Sequence, residues 1–93
     1  MAVSIHNLII SNPQLRGGRP IISGTTIRVM DVAALMLYHE RTPNDIAVNY
    51  KITLAQVHAA LAYYYANKTE IDADLQREDD IIREAKENRF GQS

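Results

Sequence analysis

Residues 42–66 read TPNDIAVNYKITLAQVHAALAYYYA, and the two threonines in this stretch decide the fold. Thr42 is followed by Pro43 and Asp45: an N-cap, a proline at the first helical position and an acid at the third. This predicts a helix over 43–50, with Ile46 and Tyr50 four apart on one face. Thr53 and Gln56 form a Thr-x-x-Gln capping box. It starts a second helix over 54–66, with Leu54, Val57, Leu61 and Tyr64 along one stripe. Only Lys51 to Thr53 separate the two. A short helix, a tight turn and a longer helix is the helix-turn-helix pattern, and an unbroken rod through 51–53 would overturn it.

Upstream, Asp31 reads as the N-cap of a helix over 32–39, in which Val32, Leu35 and Met36 give one buried stripe. That helix completes a three-helix core. Segment 3–10 (Val3, Ile5, Leu8, Ile9, Ile10) is rich in β-branched residues and ends at Ser11-Asn12-Pro13, a turn cluster. Gly17-Gly18-Arg19-Pro20 then separates it from Ile21-Ile22-Ser23-Gly24 and Thr25 to Val29. Two or three short strands are expected. They are marginal alone, so they must pack on the helices or on a second subunit.

Downstream, a fourth helix is expected from Thr69, with Glu70 and Asp72 suited to its N-terminal dipole. Its apolar stripe of Ile71, Leu75, Ile82 and Ala85 is thin and is interrupted at Glu78-Asp79-Asp80. Residues 76–93 are therefore expected as a protruding helix, or as a tail partly disordered until it meets a partner. The expected fold is mainly α: a three-helix helix-turn-helix core, a short N-terminal β-element and a C-terminal charged helix. Residues 1–75 form the domain and 76–93 the tail.

Composition bounds the function. A chain of 93 residues, 46% hydrophobic and 23% charged, holds one domain with a modest core. Cysteine is absent, which removes disulfides and thiolate zinc sites and suits a reducing compartment. The first ten residues have no basic n-region, and no apolar run approaches a membrane span. A cytoplasmic protein with no membrane partner is expected. The net charge of −1 hides an asymmetry: residues 1–30 carry +3, residues 31–69 are neutral and residues 70–93 carry −4. Such a split marks either two partner surfaces or a solvated acidic helix after a neutral domain.

Several separate motifs now fall in order: Asn12-Pro13, Gly17-Gly18-Arg19-Pro20-Ile21-Ile22, Gly24-Thr25, Ile27, Val29, Thr42-Pro43 to Ile46, Tyr50, Val57 and Ala59 to Tyr64. Over roughly residues 5–75 the chain resembles the bacterial domain-of-unknown-function family 433. The resemblance implies a homeodomain-like helix-turn-helix core behind a small β-element. It also implies an antitoxin role beside a nuclease toxin similar to the PIN domain. The chain has Gly24-Thr25-Thr26-Ile27-Arg28-Val29 where the family commonly has Gly-Thr-Arg-Ile-Pro-Val, and Lys51 where a proline usually follows Tyr50. The arginine moves by two residues, which keeps it on the same strand face.

Candidate DNA contacts are Arg16, Arg19 and Arg28 around the glycine turn, Arg41 and Lys51 flanking the first helix of the pair, and Gln56 near the start of the second. The arginines and turn amides suit phosphate oxygens, and Gln56 suits an adenine edge. The competing reading pairs Arg19 and Arg28 with core-edge acids such as Asp31. The outward face of the second helix is expected at Ala55, Gln56, Ala59 and Tyr63, with His58 to one side. That helix contains no arginine and has only Lys68 near its end, so DNA affinity requires a homodimer. Tyr63-Tyr64-Tyr65 point about 100° apart and cannot form one stacking face. His6, His39 and His58 sit on separate elements, and no nucleophile–base order or phosphate-binding loop occurs. No metal, no cofactor and no enzymatic activity are expected. Partner-binding candidates are Ile71, Leu75, Ile82 and Phe90 for an apolar groove, with Arg83 and Arg89. By family analogy, these two arginines would reach the metal-binding carboxylates of a nuclease toxin. The expected function is thus an antitoxin whose core binds DNA and whose tail neutralises a toxin. A stand-alone DNA-binding regulator and a protein-interaction module are the alternatives.

Overall fold

The computed structural model describes the backbone of residues 7–91 and the side chains of residues 7–88. Val3, Ile5 and His6, and the side chains of Arg89 and Phe90, lie outside the described residues. The chain is mainly helical, with a short antiparallel sheet ahead of four helices.

The helix-turn-helix forms where its caps place it. Helix α2 spans Pro43–Tyr50 and α3 spans Leu54–Ala66. The Asp45 amide donates to the Thr42 hydroxyl at 3.2 Å, and the Asp45 carboxylate accepts from the Thr42 amide at 3.2 Å. Thr53 and Gln56 repeat the exchange at 3.1 and 2.8 Å. Each pair satisfies amides that a helix start leaves without partners. Between them Lys51 takes a left-handed conformation (φ 58°, ψ 45°), and its amide donates back to Val48 at 3.3 Å. That residue turns the chain through the corner.

Helix α1 spans Val29–His39, three residues earlier than the acid at position 31 suggests. Asp31 is the third helical residue, not the N-cap. Its carboxylate accepts from the Arg28 amide at 3.0 Å, which draws Val29 and Met30 into the first turn. The helix closes at Glu40, again left-handed (φ 53°), whose amide donates to the Leu35 carbonyl.

Two two-residue strands pair, β1 (Ile9–Ile10) with β2 (Ile21–Ile22), in the register Ile9–Ile22 and Ile10–Ile21. A further bridge joins Ile21 to Arg28. Between the strands Arg16, Gly17 and Gly18 all have positive φ, the region in which glycine carries no Cβ penalty. The β-element packs on α3, so it is braced within its own chain.

The core lies between these layers. Ile22, Val29, Val32, Ala33, Ile46, Val57, Ala60 and Tyr64 are fully buried, and Met30, Leu61, Ile71 and Leu75 close its edges. Ile46 alone of α2 is fully buried, and Ala47 and Tyr50 pack half-buried against the core beside it. Leu54 stays exposed, outside the buried stripe expected for it. Helix α4 spans Lys68–Gly91 and starts one residue before Thr69. Its first two turns dock through Ile71 and Leu75, and from Asp79 to Asn88 every side chain is exposed. The helix stretches the molecule to 59 Å in a body otherwise 29 by 23 Å. Among the described residues no helix is long and apolar enough to cross a membrane.

Candidate nucleic-acid and partner interfaces

The arginines expected at phosphates are drawn inward. Arg28 caps α1 from an extended backbone, and this turns its side chain across the face of α4. Its guanidinium donates to both Asp31 oxygens (2.7–3.2 Å) and to both Glu78 oxygens at 3.0 and 3.1 Å. Only 14% of the side chain is exposed. Hydrogen bonding to Asp31 leads the causes that raise its pKa well above the usual arginine value, so the charge is permanent. Arg19 reaches Asp74 at 3.4 Å, and Arg16 lies 3.8 Å from Asp31. The basic head and the acidic start of α4 therefore neutralise each other within one chain. The glycine turn also closes on itself: the Gly18 amide donates to Leu15 and the Arg19 amide to Arg16.

Arg41 and Lys51 behave differently. They stand at the entrance of α2 and at the α2–α3 corner, both exposed. Among the described residues neither lies within ion-pairing distance of a carboxylate. Gln56 is half-buried, and its side-chain carbonyl accepts from the Thr53 amide and hydroxyl. Only the amide nitrogen remains for another partner, whereas reading adenine needs both ends. The solvent face of α3 is also rotated from expectation. Leu54, Ala55, His58, Ala62 and Tyr65 are exposed, whereas Ala59 is buried and Tyr63 half-buried, on a helix against which β1 packs. Leu8, Ala55, His58, Ala59 and Ala62 enclose an apolar groove of about 310 Å³ there.

At the α3–α4 corner the three tyrosines diverge. Tyr64 is core, and its hydroxyl donates to Asp72 at 2.7 Å. Burial, then that bond, pushes the Tyr64 hydroxyl above the usual phenol range. Lys68 also donates to Asp72 and, ahead of Tyr64, holds the Asp72 carboxyl below the usual carboxylate range. Tyr65 is exposed and donates to the Met36 sulfur at 3.7 Å. Among the described residues no three His, Asp or Glu side chains approach closely enough to hold a metal ion.

The partner candidates split along α4. Ile71 and Leu75 are buried in the chain's own core. Ile82 is 50% exposed and Ile81 60% exposed. Arg83 donates to Asp79 and Asp80 at 3.1 and 3.0 Å along its own helix. Sequence reasoning missed Asp74 and Glu78 as anchors for Arg19 and Arg28. Only the surplus of acids in residues 70–93 over the +3 head hinted at such pairing.

Comparison with known proteins decides the family. The family described as "Protein of unknown function (DUF433)" matches residues 9–64, more than half of the chain. The chain belongs to the DUF433 family. A crystal structure of a DUF433 member from Anabaena variabilis superposes with a TM-score of 0.70 at 27% identity, covering 77% of this chain and 71% of that one. No curated protein matches the chain. The DUF433 match takes in the β-element, α1, α2 and α3 through Tyr64, and it stops before α4.

Proposed function

We propose that this DUF433 protein is a non-catalytic binding protein of the antitoxin type, with α4 as the arm that holds a nuclease partner. The observation that carries the reading is the outer half of α4. From Asp79 to Asn88 it has no buried side chain, yet it keeps Ile81 and Ile82 on its surface. An isolated helix of this length is marginal in water. Exposed isoleucines past the midpoint of a charged helix fit a surface that becomes covered on binding. Arg83 exchanges its Asp79 and Asp80 partners for acidic groups of the nuclease, and Arg89 joins it by family analogy. The experiment is co-expression with a PIN-like nuclease encoded beside the gene. The full chain co-purifies with the nuclease and rescues growth, whereas a chain ending at Glu78 does neither while keeping its melting transition. Undiminished rescue by the shortened chain removes the proposal.

Arg41 and Lys51 support a second element of this function, docking of the helix-turn-helix on duplex DNA. Both are exposed cations, one at each end of α2, and among the described residues neither is paired with a carboxylate. Two phosphate contacts per subunit in a homodimer would give log Kd a slope of roughly 3.5 against log salt. Binding to the protein's own upstream DNA, measured at several salt concentrations, tests this. A slope near zero, or no change in Arg41→Ala and Lys51→Ala, discards it.

A further inference from the structure

Every arginine of the first thirty residues ends on a carboxylate. Arg16, Arg19 and Arg28 carry the whole +3 of that segment. Arg16 lies 3.8 Å from Asp31 of α1 and keeps 42% of its side chain exposed. Arg19 lies 3.4 Å from Asp74, which also pairs with Arg77 at 3.2 Å, and Arg28 grips both oxygens of Glu78. Asp74 and Glu78 stand one turn apart on α4, with about 5–6 Å between their Cβ atoms. Adjacent phosphates of a nucleic-acid strand have a similar spacing. These pairs reach the surface: Glu78 is 45% exposed, Asp74 23% and Arg19 30%. Ion pairs with that much solvent change partners at little cost, and a guanidinium takes phosphate oxygens in the same two-pronged way as a carboxylate. Tyr50, the last residue of α2 and the chain neighbour of Lys51, is half-buried. Burial, then the Asp31 charge, pushes its hydroxyl up, while Arg28 and Arg16 pull it down. The arginines thus stand within electrostatic reach of the end of α2, where Lys51 is exposed.

We infer that Asp74 and Glu78 hold the place of nucleic-acid phosphates, and that drawing this turn of α4 aside opens a phosphate-binding site of Arg16, Arg19 and Arg28 for duplex DNA. This rests on the reading of Arg41 and Lys51 as DNA contacts and adds a control to it: the docked α4 keeps the basic head closed. The two carboxylates act twice, because they occupy the donors and repel an approaching phosphate. Arg28 is already oriented for the exchange. Its Nε donates to Asp31 and its Nη2 to Asp31 and Glu78, whereas its Nη1 donates to Glu78. With Glu78 displaced, Asp31 still fixes the guanidinium plane and Nη1 faces the vacated side. A purely structural clamp behaves differently, since losing it lowers stability and adds no affinity for DNA.

The test uses the full chain with Asp74→Ala and Glu78→Ala together, which removes both carboxylates and keeps good helix formers in their place. Its control, Glu84→Ala with Glu87→Ala, makes the same change in net charge further along α4. Both are compared with the wild-type chain at a temperature where each melting transition shows it folded. Fluorescence anisotropy with a short random-sequence duplex DNA shows the opened chain binding about tenfold or more tighter than the control at low salt. Its log Kd is steeper against log salt by roughly 1.8 per subunit, as two freed arginines require. Arg19→Ala removes about half of that added slope in the opened chain and changes nothing in the wild type. Asp74→Ala alone frees Arg19 with about half the effect, and it serves if the paired change unfolds the chain. Equal binding by the opened chain and the control, or an added slope that Arg19→Ala leaves whole, overturns the inference. The same titrations separate the two DNA claims. If Arg41→Ala and Lys51→Ala abolish wild-type binding and the opened chain gains nothing over the control, the α2 contacts stand and the closed head falls. If the wild type binds no DNA and the opened chain binds it through Arg19, the α2 contacts fall and the closed head stands. If neither chain binds, both fall.

Discussion

Replacing Arg28 by methionine keeps most of the side-chain volume and removes a guanidinium that holds two carboxylates at once. The cost follows from the surroundings of each arm. The Asp31 arm is short (2.7 Å at best) and sits among side chains that are 14% and 24% exposed. A charge-assisted bond in that setting contributes about 1.5–2 kcal/mol. The Glu78 arm ends on a carboxylate that is 45% exposed, so it counts as a surface pair of about 0.5–1 kcal/mol. Asp31 keeps the Arg28 backbone amide as a donor and has Arg16 at 3.8 Å, so its charge is not stranded. The expected loss is about 2–3 kcal/mol, or about 10–20 °C in melting temperature for a domain of this size. Urea unfolding followed by circular dichroism measures it, and a double-mutant cycle with Glu78→Gln isolates the long-range arm at about 0.5–1 kcal/mol. A loss under about 0.5 kcal/mol for Arg28→Met, or no coupling in the cycle, would refute the claim that this arginine clamps α4 to the head.

Ile46→Ala empties the one fully buried seat of α2 and should cost about 3 kcal/mol, read as a lower urea midpoint; a neutral result would mean that α2 is held by its caps and by Ala47 and Tyr50. Lys51→Gly and Glu40→Gly relieve left-handed strain at two helix ends and should each raise stability by up to about 1 kcal/mol, visible as a higher melting temperature. Tyr64→Phe keeps the buried ring and loses the bond to Asp72, at about 1 kcal/mol in the same assay. Asp72 has its folded pKa below its unfolded value, so its contribution is present at neutral pH and fades as acid carries the solution down through the folded pKa. Asp72→Asn should therefore flatten the fall in melting temperature below about pH 4, and an unchanged acid slope would contradict this.

The corner of the molecule was legible because its chemistry is local. Thr42 with Asp45 and Thr53 with Gln56 satisfy helix-start amides within four residues, so both starts could be placed to the residue. The same locality hid a conflict: the Gln56 carbonyl that completes the cap is unavailable to a base. Asp31 misled for a related reason. An acid suits both the N-cap and the third position of a helix, and the choice between them depends on Arg28, whose other partner lies 50 residues away. No periodicity reports such a contact. The thin stripe on α4 did indicate how far the helix stays attached, because Ile71 and Leu75 come before the acidic interruption and Ile82 after it. The destination of Arg19 and Arg28 could be posed in sequence only as two rival readings, since a pairing partner is a matter of tertiary arrangement.

The uninterrupted course of α4 has a mechanical consequence. Thirteen residues beyond Glu78 amount to roughly 20 Å of stiff rod. A tilt of about 10° at its base therefore sweeps the tip through about 3.5 Å, and a force applied at the tip arrives at the root as torque. At that root the first residues to yield are Arg28 and Asp74-bound Arg19, both on the segment that carries the strands. Whatever seizes the far end of the rod thus pulls on the opposite end of the chain.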